Sequence, residues 1–134
     1  MEMVSLNYWG ILAGAIAAFV VGAVWYGALG KQWQEGLEKT IDVDGPSPMQ
    51  MIVSGITSLV GIVGIAYIYG LNGGAGIVDG LSTGLLVTLL FTMMPIANNY
   101  SWAGRKFKLT LIDVGHYIAS FAVGGAVYGF VAAF

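Results

Sequence analysis

All five basic residues of this chain fall in two short gaps, and those gaps separate long apolar runs. Lys31 and Lys39 lie in the first gap. Arg105, Lys106 and Lys108 lie in the other, the last at its far edge. The apolar runs number four and each exceeds about 20 residues, long enough to cross a hydrocarbon core of about 30 Å. A backbone in lipid must satisfy its own hydrogen bonds, and runs of this length do so as helices. The chain therefore reads as an all-α membrane protein. Its four transmembrane helices would form an antiparallel bundle, one domain over residues 1–134.

Composition agrees. Hydrophobic residues make up 57% and charged residues 9%, against about 45–50% and about 25% in soluble domains. There is no basic excess to suggest nucleic acid. The chain has no cysteine, which excludes disulfides, thiol redox chemistry and cysteine–metal sites. Met1 to Trp9 carries no Lys or Arg and the run after it is too long for a signal core, so the first span is expected to be retained.

The spans are expected at about 7–29, 48–70, 77–97 and 109–134, each about 31–39 Å long at the helical rise. Ser47-Pro48-Met49-Gln50 reads as a helix start, with an N-cap serine, proline at the first helical position and a capping-box glutamine. Asn72-Gly73-Gly74-Ala75-Gly76 reads as a tight turn. Asp79, in the first turn of span three, reads as a capping carboxylate at the positive helix end. Pro95 frees the carbonyl of Phe91 and is expected to kink span three. In the first gap, Trp33, Leu37 and Ile41 recur every four residues, which suggests a short amphipathic helix lying on the membrane surface.

With four spans, both basic gaps lie on one side. The positive-inside rule then places both longer loops in the cytoplasm and both termini outside it. Aromatic residues fall near both interfaces. Trp9 would anchor the outer one, and Trp25, Trp33 and Trp102 the inner one.

Twenty-one glycines are about twice the usual share of about 7%. Many recur every four residues. Gly10, Gly14, Ala18 and Gly22 line span one; Gly80 and Gly84 belong to such a series in span three; Gly125 and Gly129 belong to one in span four. Each series makes a groove that lets a neighbouring backbone approach closely. Three full-length grooves suggest a homo-oligomer, or docking of partner helices, beside packing within the bundle.

Few side chains inside the spans can ionise. Asp113, His116 and Tyr117 are spaced three and four residues apart and share one face of span four. An ionisable residue at membrane depth costs about 2.5–3.5 kcal/mol on insertion scales, which makes it a functional candidate. Tyr26, Thr92 and Asn98 are expected at the same level. Two uses of this polar cluster stand side by side. One is a buried network, with Asp113 accepting from Tyr26 or His116 or pairing with a nearby basic residue. The other is a site that binds or moves a proton or cation. No metal site, cofactor motif or catalytic constellation is visible.

Asn7, the segment Gly22-Ala23-Val24-Trp25-Tyr26-Gly27-Ala28-Leu29-Gly30-Lys31-Gln32-Trp33, and Ile112-Asp113-Val114-Gly115-His116-Tyr117 with the glycine-rich tail to Gly129 resemble the domain of unknown function 1761 family of small bacterial membrane proteins. The resemblance implies an uncharacterised four-span protein of the bacterial inner membrane and brings no activity or ligand with it. The residues themselves leave three functions. The first is a non-catalytic scaffold or accessory subunit that packs with itself or a partner. The second is a small oligomeric transporter or channel using Asp113 and His116. The third, with least support, is a membrane enzyme acting on lipid or quinone.

Overall fold

The computed structural model describes residues 3–37 and 45–134. Five α-helices follow one another: α1 (Tyr8–Leu37), α2 (Pro48–Leu71), α3 (Gly76–Val87), α4 (Met93–Trp102) and α5 (Phe107–Ala132). A π-helical turn, Thr88–Thr92, joins α3 to α4 into one continuous rod. Four helical rods, Tyr8–Leu37, Pro48–Leu71, Gly76–Trp102 and Phe107–Ala132, are long and apolar enough to cross a membrane.

The helix boundaries have local causes. Ser47 caps α2 with the expected box: the Gln50 amide donates to Ser47 Oγ (3.2 Å) and the Ser47 amide donates to Gln50 Oε1 (2.8 Å). Asp79 Oδ2 accepts from the Ala75 amide (2.8 Å) at the start of α3. The π turn lies just before Pro95. That proline has no N–H and its ring crowds the carbonyl four residues back. The backbone absorbs the misfit as a wider turn, in which the Met93 amide donates to the Thr88 carbonyl.

Two boundaries differ from the sequence expectation. The third rod continues to Trp102 instead of ending near Ala97, because Asn98-Asn99-Tyr100-Ser101 lowers the hydropathy without breaking the helix. In the first gap, Lys31–Leu37 is not a separate surface helix but the last two turns of α1. The remainder of that expected segment, including Lys39 and Ile41, lies outside the described residues.

The bundle is organised around α5. It packs along its length on α1 at one side and on the α3–α4 rod at the other, while α2 packs mainly on α1. One end of the molecule carries the end of α1 and the α4–α5 turn, with Lys31, Arg105, Lys106 and Lys108; it is called the basic end below. The other, the turn end, carries the glycine turn between α2 and α3.

At the turn end the helices meet backbone to backbone. A Cβ at Gly80 would collide with the carbonyl oxygen of Gly125, one at Gly84 with that of Phe121, and one at Gly129 with that of Gly76. On the other side of α5, a Cβ at Gly14 would lie 2.7 Å from the Gly124 carbonyl oxygen. Ile62, Ile65 and Ala66 of α2 are 0% exposed over this seam. Tyr69 and Tyr128 stack edge to face there at 5.2 Å. The Tyr69 hydroxyl accepts from the Gly76 amide (2.7 Å), tying the turn to the core.

α2 is packed over only half its length. From Pro48 to Gly61 none of its residues is buried, and Gly55 has open space where a side chain would be. All of its buried residues (Ile62, Ile65, Ala66, Tyr69) lie in its second half.

Candidate functional site

The polar cluster at the basic end is built on Asp113. This residue sits two turns into α5 and is 7% exposed. The α5 helix presents its carboxylate between the two flanking rods, and each rod supplies one donor. The Tyr26 hydroxyl of α1 donates to Oδ1 (2.6 Å), and the Tyr100 hydroxyl of α4 donates to Oδ2 (2.7 Å). These short bonds to a carboxylate are of the strong, charge-assisted kind. One side chain thus bonds to both flanking helices. One residue earlier on α1, the Trp25 indole N–H donates to the Ile112 carbonyl (3.0 Å), and its ring lies where a Cβ of Gly115 would be.

His116 lies one turn above Asp113 and is not its hydrogen-bond partner. Its ring packs between Tyr26 (4.9 Å) and Tyr117 (4.8 Å), with Nε2 against the Cα face of Gly22, and its Nδ1 is buried without a hydrogen-bond partner. Tyr117 continues the row of rings to Phe121 at 5.6 Å. At the other end of the row Trp33, from the last turns of α1, stands edge to face on Tyr26 at 5.9 Å. Its indole nitrogen is also buried without a partner. Thr88 Oγ1, at the start of the π turn, donates back to the Gly84 carbonyl of α3 (2.9 Å) and lies 3.3 Å from the Tyr117 carbonyl.

The end of α1 closes over this cluster. Gly36 is buried against Leu109, where a Cβ would meet the leucine side chain at 3.2 Å. Beside it Lys108 donates to Glu35 Oε2 at 2.8 Å, with the two side chains 46% and 55% exposed. That lysine, one of the basic residues expected to pair with Asp113, instead holds Glu35. The Glu35 carboxyl projects past the apolar part of α1. The Lys108 hydrogen bond and charge, together with the charges of Lys31 and Lys106, lower its pKa.

Of the residues singled out in the sequence, the structure joins Asp113, Tyr26, His116 and Tyr117 in one cluster. Thr92 is half-buried at the end of the π turn and Asn98 is exposed; neither hydrogen-bonds to Asp113. Tyr100 supplies half of the carboxylate's bonds and reads in the sequence only as an interface aromatic. The signal that could have found it is the helix continuing past Pro95, which carries Tyr100 to the level of Asp113. Of the four tryptophans, Trp9 and Trp102 are exposed as anchors would be, whereas Trp25 and Trp33 turn inward and are half-buried. The glycines Gly10, Gly14, Gly80, Gly84, Gly125 and Gly129, and Ala18, all line contacts within the chain, and Gly22 receives the His116 ring.

Chemically the arrangement holds a carboxylate, an imidazole and three phenols in reach of one another. Among the described residues no three His, Asp or Glu side chains converge on a point that could hold a metal ion. No curated protein and no solved structure matches the chain. The model of the family described as "Protein of unknown function (DUF1761)" matches residues 9–129, nearly the whole chain. The Trp25-Tyr26 pair and the Asp113-His116 face both fall inside that match, and the chain belongs to the DUF1761 family.

Proposed function

We propose that this protein is a non-catalytic component of the bacterial inner membrane, a scaffold or accessory subunit whose first half of α2 receives a partner helix. That helix comes from a second copy or from another membrane protein. The observation that carries this reading is the contrast within α2. Its second half carries all of its buried residues, while Pro48–Gly61 has none and Gly55 has open space where a side chain would be. Small residues at such a face let a second helix approach closely. The glycine series of α1, α3 and α5 support the same reading indirectly: their contacts are within the chain, so docking falls to α2. In this reading both termini lie outside the cytoplasm, as the distribution of basic residues suggests.

The test uses the absence of cysteine, which lets one introduced thiol report alone. Val53→Cys on α2 is expected to give a discrete disulfide- or maleimide-linked species in native membranes, and Leu86→Cys on α3 none. Native mass spectrometry of gently extracted protein then shows whether the partner is a second copy. Equal and diffuse cross-linking from both positions would sink the reading.

A second reading, transport of a proton or cation through an oligomer, is favoured by one observation: His116 Nδ1 is buried without a partner beside the Asp113 clamp. Intramembrane carboxylates and imidazoles commonly mark ion paths. It predicts that Asp113→Asn abolishes flux in proteoliposomes while the protein remains folded. The backbone seam at the turn end counts against a path through a single chain.

A further inference from the structure

The last turns of α1 join the rest of that helix through a short stretch that carries two unpacked glycines. Before this stretch, Trp25 and Tyr26 are fixed to α5 by their bonds to the Ile112 carbonyl and to Asp113. After it, Trp33 and Gly36 return to the bundle, on the Tyr26 ring and on Leu109. Between the two anchor points stand Gly27 and Gly30. Each has nothing within 4 Å of where a Cβ would be, so neither makes room for a neighbour as Gly14, Gly22 and Gly36 do. A glycine inside a helix weakens it, since its backbone loses the most freedom on ordering. The helical rise places this pair where α1 leaves the membrane: about 20 residues from Tyr8 span a hydrocarbon core of about 30 Å.

What the last turns cover is the way into the polar cluster. Leu109 lies one turn before Asp113 on the same face of α5, between the carboxylate and the basic end. It is 1% exposed, and Gly36 lies against it. The hold on this cover is slight. Lys108 and Glu35 pair in the open, and pairs of that kind contribute little. The Trp33 indole N–H is buried with no partner, a state that is rare in folded chains and that ends when the ring swings out to water or headgroups.

We infer that Lys31–Leu37 is a hinged cover, which bends away at Gly27 and Gly30 and admits water from the basic end to Leu109 and the Asp113 cluster. Closed, it shields the bonds of Asp113 to Tyr26 and Tyr100. Open, it gives the Trp33 indole and the cluster access to solvent. The device belongs to α1 and α5, so it stands or falls independently of the partner-helix reading of α2, and it holds whether or not the cluster moves an ion.

The chain has no cysteine, so Leu109→Cys places a single thiol beneath the cover. Its rate of modification by a water-soluble maleimide, with the protein in nanodiscs, reads the opening. Arg105→Cys, at an exposed position, is expected to react fastest, and Ser120→Cys, at a position 2% exposed on α5, slowest, with Leu109→Cys between them. Glu35→Gln removes the ion pair and should speed the Leu109→Cys reaction by up to about fivefold. Gly27→Ala and Gly30→Ala meet no neighbour and should slow it about two- to fivefold each. Leu109→Cys reacting as slowly as Ser120→Cys would overturn the inference, as would a rate equal to that of Arg105→Cys or one that ignores both glycine substitutions. Hydrogen exchange on the parent chain tests the hinge without the leucine substitution. Amides of residues 31–34 bond the carbonyls of residues 27–30 on the α-helical path, so bending at the glycines exposes them as a group. They are expected to exchange at least as fast as those of residues 35–37, and to slow in Gly27→Ala/Gly30→Ala. Protection that falls steadily toward Leu37 and is unaltered in the double variant would mean that the helix end merely frays, and the hinge would be overturned.

Discussion

The two ends of the bundle hold the same central helix by opposite means. At the turn end, α5 meets α3 through glycines whose missing side chains let carbonyl oxygens and Cα atoms touch. At the basic end, α5 meets α1 and α4 through hydrogen bonds that converge on one carboxylate. The first contact depends on shape alone and permits almost no variation. The second depends on polar groups, whose worth in a membrane is modest because the separated helices find other partners. The difference teaches that the most eye-catching residue of a span need not be the one that holds it.

Substitutions can break this contrast in order. Gly84→Leu drives a side chain into the Phe121 backbone, and no rotamer relieves a collision with main chain. It is expected to destabilise the bundle by more than about 3 kcal/mol, at or beyond the upper range for overpacking, and to abolish a cooperative thermal transition in detergent. Asp113→Asn keeps the shape but replaces one acceptor oxygen by an NH₂ group, which faces a tyrosine hydroxyl. The expected cost is about 1–3 kcal/mol, the range for a buried group left unpaired. If Asp113→Asn proved more damaging than Gly84→Leu, the ranking of the two ends would be reversed.

Tyr100→Phe removes a single donor and leaves the Tyr26 bond in place. Its expected cost is about 1 kcal/mol or less, in line with interhelical hydrogen bonds in membranes. Combined with Tyr26→Phe it should approach the effect of Asp113→Asn, which a double-mutant cycle would read directly. Lys108→Gln is expected to do least, since the pair it breaks is exposed and screened. The pH dependence has a definite sign. Lys108 lowers the Glu35 pKa in the folded chain. The pair therefore contributes stability above the ordinary glutamate value, and that contribution is lost as pH falls through the lowered one. Lys108→Gln should reduce this acid sensitivity and shift the unfolding midpoint only slightly, since the charges of Lys31 and Lys106 still act on Glu35.

Hydropathy and five basic residues were enough to find the four spans, because lipid imposes length and apolarity on each one. The start of α2 was legible to the residue, since Ser47 and Gln50 cap it locally. Asp113, His116, Tyr117 and Tyr26 were legible as a cluster because the first three share one face of α5 and Tyr26 lies at the same depth. Tyr100 was not, since a polar run next to a loop looks the same whether it ends a helix or extends it. Nor was the disposition of the glycine series. Periodicity says that a helix has a groove, and only the packing says which helix fills it. The inward turn of Trp25 and Trp33 was hidden for a similar reason: an indole near an interface satisfies the sequence pattern whichever way its ring points.

The π turn at Thr88–Thr92 sets the phase of everything that follows it. A π turn accommodates one residue more than the α-helical path, and successive residues in a helix are about 100° apart. The α4 segment is therefore rotated by about that angle relative to a rod of unbroken α-helix, and Tyr100 meets Asp113 in the rotated frame. The clamp is in effect indexed by an insertion. Removing a single residue from this turn would leave the span apolar and long enough to cross the membrane. It would also restore the α-helical path and keep Tyr100 in its present phase, whereas straightening the turn with all of its residues kept would swing Tyr100 away from the carboxylate. Related chains could thus gain or lose this one residue and keep the bond between Tyr100 and Asp113, with the turn absorbing the difference.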